Sequence, residues 1–87
     1  MDDIDTIIDE LRAANPDALL ADGLDEALIG YTINTHSRHV AVYSAQKCVE
    51  VLVRRDGMTH DEADEFLEHN TYCAYVGKDG PLYVRTR

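Results

Sequence analysis

The chain has 87 residues, 45% of them hydrophobic, which is enough for one buried core and too little for two. Its 17 acidic side chains against 8 basic ones give a net charge of −9, a balance that disfavours direct DNA or RNA binding and favours contact with a basic protein surface. No apolar run approaches the ~18 residues of a membrane span, and Met1-Asp2-Asp3-Ile4-Asp5 is opposite in charge to the start of a secretory signal, so a cytoplasmic protein without a membrane partner is expected.

Ile4, Ile7, Ile8 and Leu11 recur at i, i+3, i+4 and i+7, which predicts an amphipathic helix over Ile4–Ala14 with Asp2 and Asp3 placed to cap it. Asn15-Pro16 ends that helix and predicts a short second turn with Asn15 as N-cap, Gly23 as terminator and Leu19 and Leu20 folded inward. From Ala27 to Ile33 the period changes to two, with Ala27, Ile29, Tyr31 and Ile33 on one face and Leu28, Gly30 and Thr32 on the other, a first strand. The polar stretch Asn34–Arg38 then predicts a turn into a second strand over His39–Tyr43, the two forming a hairpin.

Ser44 is placed to cap a helix over Ala45–Arg55, with Ala45, Cys48, Val49 and Leu52 as its inner stripe and Gly57 as its stop. Thr59 and Glu62 have the spacing of a capping box, flanked by Met58 and Ala63 as a hydrophobic staple. They predict a third helix over His60–His69, with Ala63, Phe66 and Leu67 inward and Asn70 as a left-handed cap. Tyr72–Val76 and Leu82–Arg85 read as strands of a second hairpin joined through Gly77-Lys78-Asp79-Gly80 and Pro81. The expected fold is a single small α+β domain over residues 1–87: an acidic helical segment, 1–26, followed by a ββααββ core, 27–87. Its sheet is mostly antiparallel and four-stranded, with helices packed on one face. Tyr31, Tyr43, Tyr72, Tyr75 and Tyr83 are candidates either to line the other face of that sheet, where they would seal a dimer, or to straddle the edge of the core.

A-L-I-G-Y at 27–31, V-A-V-Y at 40–43, D-G-M-T-H-D-E-A-D-E-F-L-E-H-N at 56–70 and A-Y-V-G at 74–77 followed by Pro81 resemble a family of small uncharacterised proteins encoded by bacteriophages and prophages. The resemblance covers roughly two thirds of the chain, from Ala27 to Val84, and leaves the acidic first 26 residues outside it. It implies a phage-type protein and brings no catalytic residues with it. Cys73 stands where a small residue is expected. Each residue of the marker block also has a structural use, in terminating, capping, packing or turning the chain.

No constellation predicts catalysis or a cofactor. His36 and His39 offer only an H-x-x-H in a turn, without a third metal ligand. Cys48 and Cys73 have no paired spacing and read as reduced core thiols. Cys73 with His69 lacks an orienting carboxylate, Glu62 and Glu65 lie on a solvated face where nothing separates their acidities, and Gly77–Gly80 leads into Pro81 rather than a helix, unlike a phosphate loop. What remains is charge. Asp2, Asp5 and Asp9, with Asp17 as a further candidate, line one side of the first helix, and Asp61, Asp64, Glu65 and Glu68 line one side of the third at i, i+3, i+4 and i+7. Carboxylates repeated along a rigid face imitate the phosphates of a nucleic acid. Phages use small acidic proteins to block host defence complexes.

The expected function is therefore a non-enzymatic inhibitor of a host protein with a basic nucleic-acid-binding surface, an anti-CRISPR-like nucleic-acid mimic contacting it through Asp2, Asp5, Asp9, Asp61, Asp64, Glu65 and Glu68. The alternative is a homodimeric structural or interaction module that associates through its open sheet face and uses its charge only for solubility. A chain this short buries only about 60–65% of its unfolded surface, which gives self-association something to add. An enzyme or small-ligand sensor is the third class, without a site to support it.

Overall fold

The computed structural model describes residues 4–33, 38–72 and 77–85. Helix α1, Ile4–Ala14, forms where the four-residue apolar repeat predicts it, with Ile7 and Leu11 buried and Ile4 and Ile8 packed against the same core. The expected short turn follows, with Asn15 at its head: the Asn15 side-chain oxygen accepts from the Asp17 N–H and its carbonyl from the Ala18 N–H, each at 3.1 Å, and the turn does not continue into a helix. Leu20 packs against the core, but Leu19 points outward at 42% exposure, because an irregular segment has no repeating face to bury both.

A single 3-10 turn, Asp25–Ala27, leads into strand β1, Leu28–Tyr31, which pairs antiparallel with β2, Ala41–Ser44. Leu28 faces Tyr43 and Gly30 faces Val42, so β1 carries one more residue than its partner between these pairs. This bulge corrects the expected alternation. Leu28 and Tyr31 are three apart, yet their partners Tyr43 and Ala41 are two apart and both buried, so Leu28 and Tyr31 come to the same core face. Ile33, expected on the inner face, is 77% exposed beyond the end of the strand.

Ser44 ends β2 and caps α2, Ala45–Asp56, its hydroxyl oxygen accepting from the Lys47 N–H at 3.3 Å. The helix stops at Gly57, whose φ of +71° places it in the left-handed region. Its buried stripe is Ala45, Cys48, Val51 and Leu52, with Val49 half-buried. Helix α3, His60–Leu67, follows and runs on as a π-helical turn, Glu68–Tyr72. Asn70 lies inside that turn with its side chain donating to the Phe66 carbonyl at 2.9 Å. No described residue other than glycine has a positive φ, so Asn70 is not a left-handed cap.

The expected strand over Tyr72–Val76 lies, apart from Tyr72, outside the described residues. Strand β3, Leu82–Val84, pairs parallel with β2, in the register Val42–Leu82, Tyr43–Tyr83 and Ser44–Val84. Among the described residues the sheet is thus three-stranded and mixed, in the order β1-β2-β3, rather than four-stranded and mostly antiparallel. Connectivity allows this: α2 and α3 lie between β2 and β3 in sequence, a connection long enough for the crossover that parallel strands require. The α+β class holds. One buried cluster joins Ile7 and Leu11 of α1, Leu28, Ala41 and Tyr43 of the sheet, Cys48, Val51 and Leu52 of α2, and Ala63 and Leu67 of α3.

Candidate functional site: an acidic helix and its flanking groove

The Thr59 capping box fixes where α3 begins. The Thr59 hydroxyl accepts from the Glu62 N–H at 3.1 Å, and the Glu62 carboxylate accepts from the Thr59 N–H at 2.9 Å. With the start set, Ala63 and Leu67 turn into the core and Asp61, Asp64 and Glu65 turn to solvent; Glu68, at the start of the π-helical turn, is exposed as well. A helical rise of ~1.5 Å per residue puts these four carboxylates along roughly 10 Å of axis. That is about one charge per 3.5 Å, close to the ~3.4 Å spacing of phosphates along one strand of a duplex.

Three arginines are employed elsewhere. Arg38 bridges Asp17, at 3.1 Å, and Asp79; Arg54 pairs with Glu26; and Arg55 pairs with Asp56 at 3.2 Å while donating to the Gly23 carbonyl at 2.7 Å. Among the described residues no ion pair holds Asp61, Asp64, Glu65 or Glu68. Arg85 shares a groove with Asp61 and Asp64 without bridging either, so the four carboxylates of the α3 row outnumber the cation beside them.

Of the other acidic set, Asp5 and Asp9 are exposed on α1 and Asp2 lies outside the described residues. Helix α1 packs on β1 while α3 packs on α2, so the two sets ride on separately packed elements. The next carboxylate along α1, Glu10, accepts from the Tyr31 hydroxyl at 3.2 Å and ties that helix to the sheet.

Sequence reasoning missed a groove on the flank of α3. Phe66, expected inward, is 43% exposed, because Ala63 and Leu67, one turn apart, complete the narrow buried stripe and leave Phe66 to one side of it. Together with Gly57, Met58, Glu62, Glu65 and His69 it lines an open groove of about 530 Å³. An added Cβ at Gly57 would meet nothing within 4 Å, so the groove is open at that end. The available signal was the pattern Ala63–Phe66–Leu67 itself: a helix of 8 residues packed along one side has room for two of the three.

A polar hub, also unforeseen, ties the end of α1 to the turn before β3. The Asn15 amide donates to the Asp79 carboxylate at 3.0 Å and to the His39 carbonyl at 2.7 Å, and the Asp79 carbonyl accepts from the Leu19 N–H at 3.0 Å. Hydrogen bonds from Asn15 and Arg38 hold the Asp79 carboxyl below the usual aspartate range. The turn Gly77–Gly80 is thus structural, with Gly77 at φ +99° and the Gly80 N–H donating to the Gly77 carbonyl.

Burial pushes the Cys48 thiol up to about 11, which keeps it protonated and a poor nucleophile. His36 and Cys73, the partners considered for His39 and His69, lie outside the described residues. Among the described residues no three His, Cys, Asp or Glu side chains come together as a metal site, and no helix is long and apolar enough to cross a membrane. Tyr43, Tyr72 and Tyr83 form a ring cluster, Tyr43 to Tyr83 at 5.6 Å and Tyr83 to Tyr72 at 5.0 Å between centroids. These three tyrosines belong to the core and its edge rather than to an outer sheet face. No family model, curated protein or solved structure matches the chain.

Proposed function

We propose that the chain is a non-enzymatic, phage-type inhibitor that lays the carboxylate row Asp61, Asp64, Glu65 and Glu68 onto the basic nucleic-acid-binding surface of a host protein, in the manner of an anti-CRISPR nucleic-acid mimic. The observation that carries this reading is the ion-pair inventory. Arg38, Arg54 and Arg55 are bound to acids outside α3, while among the described residues no ion pair holds the four α3 carboxylates and one cation, Arg85, shares a groove with Asp61 and Asp64. A helix that only needed to stay soluble would lose nothing by pairing its acids with lysines four residues away. Asp5 and Asp9 on α1, with Asp2 before them, supply a second acidic contact of lower density.

Charge steering of this kind speeds association more than it slows dissociation. Stopped-flow association with the captured host protein should therefore slow steeply as salt rises, with a much smaller change in the dissociation rate. A salt-independent association rate would refute the acidic contact.

A homodimeric module is the second reading, favoured by Leu82 at 50% exposure and by Val84, both exposed on β3. A charge of −9 on each copy opposes self-association. Light scattering at micromolar concentration separates the two: a monomer is expected, and a stable dimer would move the function to the sheet.

A further inference from the structure

We infer that the groove beside α3 is an arginine-reading anchor site, with the face of Phe66 as its floor and Glu62 and Glu65 as its rim. The inference deepens the proposed function and rests on it, since it names the side chain of the basic partner that the acidic helix would hold most tightly.

An aromatic ring on a helix whose other exposed side chains are nearly all charged is costly to leave in water, and α3 has such a ring at Phe66. The Asn70 side chain donates to the Phe66 backbone carbonyl, which holds the backbone that carries the ring, and Met58, packed against the core, lines the same groove. The groove carries two carboxylates on its rim, Glu62 and Glu65, four and one positions before Phe66; Asp56, already paired with Arg55, closes the α2 side, and His69 completes the lining. The capping contact engages one oxygen of Glu62, Oε1, with the Thr59 N–H.

Charge complementarity selects a cation for this groove, and the flat ring selects among cations. A guanidinium is planar and weakly hydrated, stacks on an aromatic face and forks onto a carboxylate at the same time, whereas an ammonium is a compact, strongly hydrated point charge. The occupant is an arginine side chain presented by a basic protein surface. Asp61, Asp64 and Glu68 do not line the groove and supply the long-range attraction, while Phe66 supplies the discrimination.

The test uses two probes, N-acetylated hexa-arginine amide and hexa-lysine amide, titrated by calorimetry into the full chain at low ionic strength. The wild type should bind the arginine peptide about five-fold more tightly than the lysine peptide. In Phe66→Ala the arginine affinity should fall to the lysine level, and in Phe66→Tyr, which keeps a ring face, the preference should remain. Equal affinity of the wild type for both peptides, or a preference that survives Phe66→Ala, overturns the anchor. If both peptides bind the wild type equally and a triple Asp61→Lys, Asp64→Lys, Glu68→Lys variant loses both, the acidic helix stands and the anchor alone fails. If neither peptide binds the wild type, both fail.

Discussion

The Asn15 side-chain amide reaches the Asp79 carboxylate across 64 positions of sequence, Nδ2 to Oδ1 at 3.0 Å, and the same nitrogen donates to the His39 carbonyl. One buried side chain thereby joins the end of α1, the approach to β2 and the turn before β3. Replacing Asn15 with Ala leaves the His39 carbonyl without this donor in a partly buried setting, which costs about 1 kcal/mol or more. Urea denaturation of Asn15→Ala should show that loss as a lower midpoint with an unchanged slope.

The same hub sets the acid limb of stability. The Asp79 carboxyl lies below the ordinary value because Asn15 and Arg38 donate hydrogen bonds to it. A depressed folded-state acidity contributes stability that is fully present above the unfolded aspartate value, 3.8, and is lost as pH falls through the folded value. Stability should therefore decline below pH 3.8. Asp79→Asn should flatten that part of the profile, and an identical acid limb in wild type and variant would contradict this role.

At the alkaline end the ring cluster takes over. Burial pushes the hydroxyls of Tyr72 and Tyr83 up to about 12, and burial raises that of Tyr43 as well. Groups whose folded values are raised contribute stability that is complete below the ordinary tyrosine value of 10.0 and is lost as pH rises toward 12. Ultraviolet titration of tyrosinate should show a late-titrating class in the folded protein that joins the ordinary class in urea.

Tyr43 also accepts from the Ala21 N–H at 2.8 Å and is fully buried. Tyr43→Phe keeps the ring packing and removes that acceptor, so a loss of about 1–3 kcal/mol is expected. Hydrogen exchange at the Ala21 amide should accelerate beyond the change in global stability.

The start of α3 depends on one hydroxyl. Thr59→Ala removes the acceptor for the Glu62 N–H and should cost about 1 kcal/mol, whereas Thr59→Ser should restore most of it. Thermal unfolding followed by circular dichroism compares the three.

Local chemistry was the legible part of the fold. The Thr59–Glu62 box, the Ser44 cap, the Gly57 stop and the α1 repeat each act within about one helical turn, and each appears in the structure where its residues predict it. Less legible were features decided by a partner distant in sequence. The bulge that brings Leu28 and Tyr31 to one face is set by their pairing with Tyr43 and Ala41, and strict alternation along β1 cannot reveal it. The parallel pairing of β3 with β2 is permitted by the long helical crossover, but neither that connection nor the sequence of β3 selects the direction. In the site, the exposed carboxylates of α3 could be read from periodicity, but the outward turn of Phe66 required knowing how narrow the packed stripe is. The Asn15–Asp79 contact left no local pattern at all, since two polar residues in turns look alike whether they meet or not.

The most direct test of the acidic contact is affinity capture from host cells with the tagged wild type and with a variant carrying Asp61→Lys, Asp64→Lys, Glu65→Lys and Glu68→Lys. Circular dichroism should first show the same fold for both, because all four side chains are exposed. A basic nucleic-acid-binding protein retained by the wild type and lost by the variant is the predicted result. The same protein retained equally by both would contradict the proposed function.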